Sequence, residues 1–357
     1  MKQPVYILWC LAILLTSCER RPLEDISNTH YIRIYIDENI KNVTTGFYNE
    51  DYSRPDYESP YVLRLTLSDP HTGEVKTERY LRDMRHDANG TYYEGYIIAA
   101  PGEYTMMAYN FDTRVTRIDN PNNHRSAKAY TNNIPSHIKT KLFSRINQKA
   151  SESNNEEEKI VFDPDHLFVA SCGDLIIAHT DYVDTLKTRD GKFFRASSIV
   201  KSYYLQIRIK GMQYVSSAVS LLTGMSGSAW LFNREADNKD NATIYFEMIP
   251  GETPSTGLSK ASDQEEVILY TTFNTFGKLP DVSSSLDITF DFMTIYGMPY
   301  SESIDITDVF ETEAAKEHQW LLIDRVIEIP EPPPTQGGGG LSPSVGKFDE
   351  IHTEIII

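Results

Sequence analysis

The sequence predicts an all-β protein of two tandem β-sandwich domains, exported behind an N-terminal signal. Three observations predict it. Apolar residues recur with a period of two along most of the chain. Pro/Gly-containing turns separate these runs, and the first residues have the layout of a secretion signal.

The signal comes first. Lys2 precedes the apolar run Val5–Leu15, which ends in Thr16-Ser17-Cys18. This run is well short of the roughly 20 residues a spanning helix needs, so residues 1–17 read as a cleaved signal rather than a membrane anchor. Leu15-Thr16-Ser17-Cys18 resembles the bacterial lipobox, in which the Cys after a small residue becomes the lipidated first residue of the mature protein. Cys18 is therefore the expected acylation site, and more than one acyl chain is what stable anchoring requires. Residues 18–29 form the lipidated tether. Cys10 leaves with the signal and Cys18 is acylated, which leaves Cys172 alone in the mature chain. No internal disulfide is expected, and Cys172 reads as a buried, inert thiol within an apolar run.

The formal charge of −17, from 51 acidic and 34 basic residues, speaks against nucleic acid as a partner, because phosphate binding needs clustered Lys and Arg. With 357 residues and 40% hydrophobic content there is chain enough for two cores.

In residues 30–146, Tyr31–Asp37 alternates with Ile32, Ile34 and Ile36 on one face. Tyr61–Ser68 does the same with Leu63, Leu65 and Leu67 before the turn at Asp69–Gly73. Thr91–Ala99 and Glu103–Tyr109 flank Pro101-Gly102, which has type II turn chemistry and predicts a hairpin. Residues 147–159 lack apolar pattern and read as the linker between domains. The second domain, 160–330, carries expected strands at 167–172, 175–179, 198–210, 228–232, 242–249, 265–273, 286–294 and 319–329. A short helix is expected within 308–318. Residues 331–345 hold Pro330-Glu331-Pro332-Pro333-Pro334 chemistry and then Gly337–Gly340, a stiff spacer followed by a flexible one. Beyond it, 346–357 ends in an alternating strand. Its candidate partner-contacting residues are Phe348, Ile351, Thr353, Ile355 and Ile357.

Taken together, the lipobox at Cys18, Pro101-Gly102-Glu103-Tyr104 in the first β domain, a second domain opening near residue 160, Leu222–Ser228, and the Pro/Gly spacer with its terminal strand resemble the fimbrillin-associated anchor lipoproteins of Bacteroides-type bacteria. The resemblance covers most of the mature chain. It implies transthyretin-like sandwiches, a location at the outer membrane with the protein facing the cell surface, and fimbrial subunit proteins as partners.

Enzymatic readings are weak. Gly224-Met225-Ser226-Gly227-Ser228 has Ser228 where a nucleophile elbow requires Gly. His124, His137, His166 and His179 show no metal-ligand spacing, and Asp237–Asn241 departs from a calcium loop at Lys239. Asp163 and Asp165 form a carboxylate pair of unknown separation. No cofactor, metal or catalytic residue is expected. The alternative to a fimbrial role is a surface lipoprotein that holds glycan or another polymer on exposed aromatics. Tyr92, Tyr93, Tyr203 and Tyr204 lie in strand patterns, however, where cross-strand packing is the expected use.

Overall fold

The computed structural model describes residues 26–37, 59–138, 159–248, 266–279 and 286–331. Its strands are β1 (Thr29–Ile36), β2 (Leu63–Ser68), β3 (Val75–Leu81), β4 (Asp83–Asp87), β5 (Gly90–Ile98), β6 (Gly102–Asn110), β7 (Thr116–Asp119), β8 (Lys128–Thr131), β9 (Ile160–Phe162) and β10 (Phe168–Ile177). There follow β11 (Asp184–Thr185), β12 (Phe194–Ser198), β13 (Lys201–Lys210), β14 (Val215–Ser226), β15 (Ser228–Trp230) and β16 (Asn241–Met248). The last are β17 (Val267–Thr275), β18 (Asp287–Thr294), β19 (Pro299–Asp305) and β20 (Trp320–Glu328). Two short helices, α1 (Thr307–Phe310) and α2 (Glu313–His318), stand where a helix is expected. Thr312 caps α2 by accepting the Ala315 N–H, as a helix start requires. Among the described residues no helix is long and apolar enough to cross a membrane.

The first sandwich has one layer in the order β4-β5-β1-β12 and another in the order β3-β2-β6-β10-β12. Strand β12 belongs to both. Phe194–Ala196 runs parallel to Ile34–Ile36, and then Ser197 and Ser198 pair antiparallel with Val169 and Phe168. The period of two puts Ile32, Ile34, Ile36, Tyr93 and Ile97 of one layer against Leu63, Leu65, Leu67, Met106, Ala108 and Phe168 of the other.

The second sandwich packs β17-β13-β20 on β19-β18-β14-β16-β9. Leu205, Ile207, Leu269, Phe273, Leu321 and Ile323 face Leu222, Ile244, Phe246, Ile288, Phe290 and Phe292, with Phe246 stacked on Phe273 at 4.3 Å. A small sheet, β7-β8-β15, joins strands from both halves of the chain. Beneath it Met107, Tyr109, Val169, Ala129, Ala229 and Leu231 bury a third core at the junction.

Three expectations are corrected. The hairpin at Pro101-Gly102 is absent: β5 pairs with β1 and β4, while β6 pairs with β2 and β10. The chain instead crosses from one layer to the other there, and Gly102 lacks the positive φ that a type II turn needs. The break expected at 147–159 lies outside the described residues except for Lys159, and it does not divide the sheets. β9 joins the second sandwich beside β16, but β10, β11 and β12 then return to complete the first, so the chain commits to the second only after Ser198. The segments expected at 167–172 and 175–179 are one strand, β10, interrupted by a bulge between Cys172 and Leu175. β14, the central strand of its sheet, has no counterpart among the expected strands.

Candidate functional site

The termini that the sequence marks as functional fall outside the described residues. These are Cys18 and the strand residues Phe348, Ile351, Thr353, Ile355 and Ile357. The structure does show the sheet edges that a terminal strand could join. On the first sandwich, β3 carries Lys76, Glu78 and Arg79, and β4 carries Asp83, Arg85 and Asp87. Charges on an edge oppose strand addition. On the second, β19 begins at Pro299 and holds Glu302 and Asp305. β20 is broken by a bulge at Asp324-Arg325, since Ile207 pairs with Ile323 and Arg208 with Val326. β17 differs from all of these. Val267–Thr275 contains no charged residue, and β17 stands at the edge of the sheet. The chain leaves that same sheet from β20, where the Ile329 N–H donates to Lys210 O at 2.9 Å. β20 and β17 flank β13, so about 10 Å separates them, well within reach of a spacer spanning 331–345.

A cleft of about 570 Å³ opens between the first sandwich, through Thr105, Gly173 and Asp174, and the segments around the small β7-β8-β15 sheet. β15 brings Trp230 and the following Phe232 to it by pairing with β8. His124 lies in its wall, 5% exposed, with Nδ1 3.2 Å from Gly73 O and its ring 5.2 Å from that of Phe232. Burial pushes the His124 imidazole below its ordinary value, so it stands neutral, Nδ1–H donating to the carbonyl. Arg125 Nη2 donates to Pro70 O at 2.6 Å, and Lys128 Nζ sits 5.1 Å from the Trp230 ring while pairing with Asp237. Aromatic walls with Arg125 and Asp174 at the rim can hold a small polar molecule that has an apolar face.

The other residues singled out by sequence resolve into structure. Ser226 is fully buried at the end of β14 and donates to Ser228 O and Asp237 O, so Gly224–Ser228 is strand and bulge rather than an elbow. In Asp237–Asn241 the carboxylates are taken by lysines, Asp237 by Lys128 and Asp240 by Lys159. Asp165 accepts the N–H groups of Val115 and Thr116, while burial holds the Asp163 carboxyl up to about 6. No group of His, Cys, Asp and Glu that could hold a metal exists among the described residues. Tyr93 and Tyr203 are in the two cores, Tyr204 packs edge-on against Trp320, and Tyr92 packs on Tyr35 beneath the Arg33 guanidinium at 4.0 Å. Cys172 is a free thiol packed against the first core. It is half-buried rather than buried, the last residue of β10 paired with β6 before the bulge.

A family model described as a domain of unknown function, DUF5119, matches residues 76–247. The chain is 25% identical over 274 residues to a candidate fimbrium-anchoring subunit, Fim4B, of Bacteroides ovatus, covering 71% of this chain and 76% of that protein. Among solved structures, a candidate adhesin from Bacteroides ovatus superposes with a TM-score of 0.54 at 18% identity, over 88% of this chain and 98% of that one, and so shares the fold. The resemblance read from the sequence is borne out: over most of its length this chain is similar to a candidate fimbrium-anchoring subunit of a Bacteroides species.

Proposed function

We propose that this chain is an outer-membrane lipoprotein that anchors or assembles a cell-surface fimbria. It would be held by lipid on Cys18 and joined to a partner subunit by its C-terminal strand. The observation that carries the reading is the likeness to a candidate fimbrium-anchoring subunit across most of both chains. Two features support the mechanism. The lipobox supplies an anchor at one terminus, and the alternating strand at 346–357, behind its Pro/Gly spacer, supplies a connector at the other. Strand addition would use backbone hydrogen bonds for affinity, with Ile351, Ile355 and Ile357 entering alternate pockets. β17, uncharged over its whole length, is the edge best suited to receive such a strand from this chain or from a neighbour.

Cys18→Ala tests the anchor. The variant is expected to leave the membrane fraction, because no spanning segment and no basic cluster remains to hold it. Complete retention on membranes in high salt would overturn the assignment.

The cleft lined by Trp230 and Phe232 favours a second reading, capture of glycan or another polymer without catalysis. Screening the protein on a glycan array, with Trp230→Ala as control, tests it. Binding abolished by Trp230→Ala supports the reading, and an array without hits removes it.

A further inference from the structure

The first sandwich gathers exposed apolar side chains at one of its two ends. Ile98 is 66% exposed and Ile176 74%, on the outer faces of the two layers because Ile97 and Ile177 point into the core, and Tyr182 at 68%, Ile26 and Val183 are exposed at the same end. Hydrogen bonds fix their common location. Thr29 pairs with Ile98, and the Ala99 N–H donates to Asn28 O at 3.1 Å. The Asn28 N–H donates to Thr180 O at 2.9 Å, and Ile177 pairs with Gly102. The start of β1, the end of β5, the start of β6, the end of β10 and the loop to β11 therefore meet at this end.

The second sandwich departs from the opposite end, since Ser198, the last residue of β12, pairs with Phe168 at the far end of β10. The apolar end thus lies opposite the departure of the second sandwich, and it includes Ile26, the described residue nearest in sequence to Cys18. Glu19–Asp25 are all that separates Cys18 from Ile26, so even a fully extended tether holds this end within about 28 Å of the lipidated residue. Exposed apolar side chains scattered singly need no explanation, but a group at one end marks a contact surface. Tyrosines with Ile and Val beside them suit the boundary between headgroups and acyl chains.

We propose that this end rests in the membrane interface, with Ile98, Ile176, Tyr182 and Val183 in contact with lipid. The contact turns a single lipid attachment into an oriented mount that directs the second sandwich outward. It rests on the reading that Cys18 is acylated. Glu103, Asp181 and Asp184 share the same rim, so zwitterionic lipid is the preferred surface and anionic lipid is disfavoured.

The test uses the acylated full-length mature protein on phosphatidylcholine vesicles, in a Cys172→Ser background so that one engineered thiol takes the label. Acylated Cys18 has no free thiol. A fluorophore at Ile176→Cys is compared with one at Tyr296→Cys in the second sandwich, using doxyl-labelled lipid as quencher and vesicle flotation to report anchoring. Quenching at position 176 and none at 296 is expected, with Ile98→Asp plus Tyr182→Asp abolishing the quenching while flotation persists. Flotation with position 176 as unquenched as 296 overturns the inference alone. Loss of flotation in the unsubstituted protein overturns the acylation reading and the inference with it.

Discussion

Gly224 and Leu286 are fitted so closely that a β-carbon on Gly224 would stand 2.5 Å from Leu286 Cδ2, and Gly224 itself has φ +74°. Both facts come from the bulge between Leu222 and Met225, where β14 bends against β16. Gly224→Ala should therefore combine left-handed backbone strain with overpacking and cost about 2 kcal/mol or more. Urea denaturation measures it, and an unchanged midpoint would contradict the packing described.

Arg64 is the second prediction. It lies on β2, 9% exposed, and its guanidinium donates to Glu78, to Tyr109 Oη at 2.7 Å, to Pro121 O at 2.9 Å and to Asn122 Oδ1 at 2.7 Å. Removing it leaves the buried Tyr109 hydroxyl and the part-buried Pro121, Asn122 and Glu78 acceptors without this donor. Glu78 is partly in water, which reduces the charge component, so Arg64→Met should cost about 2–3 kcal/mol. Arg64→Lys should recover little, because an ammonium cannot reproduce the planar fork. Full rescue by Lys would mean that charge rather than geometry matters here.

A pH effect follows from Asp163. Burial is the main cause of its raised pKa, with repulsion from Asp165 adding to it. A carboxyl whose folded value, about 6, exceeds its ordinary 3.8 favours folding at pH below about 4, and that contribution is lost as pH rises through about 6. At pH 7 the folded state holds a carboxylate that its surroundings oppose, at a cost of up to about 3 kcal/mol, less for the part still hydrated. Asp163→Asn should raise stability at pH 7 and flatten the pH dependence between 4 and 6. Chemical denaturation across that window checks the sign; a destabilised Asn variant at pH 7 would reverse it.

Strand content was legible wherever alternation was strong, as in β1, β2, β13 and β18, because a period of two with one buried face leaves few alternatives. β14 was missed for a physical reason. It is central, and Ser216, Ser217, Ser220 and Thr223 interrupt its apolar run, so it carries no clean alternation although Ser220 is fully buried. Pro101-Gly102 misled because local turn chemistry is the same whether a chain folds back beside itself or crosses to the facing layer. Only the long-range register separates these, and the same holds for the membership of β10 and β12. The cleft had no sequence signal, since His124 and Trp230, far apart in sequence, meet only through the β8–β15 pairing and the Gly73–His124 contact. The expected site residues at Cys18 and 348–357 rest on the sequence.

The C-terminal strand is proposed to serve a fimbrial partner. Deleting residues 346–357 and purifying the protein from its native outer membrane after mild crosslinking measures this most directly. Strand donation to a neighbour predicts that the truncated protein keeps its melting temperature but no longer co-purifies with fimbrial subunits. Co-purification that survives the deletion, with melting temperature unchanged or lowered, would contradict the claim.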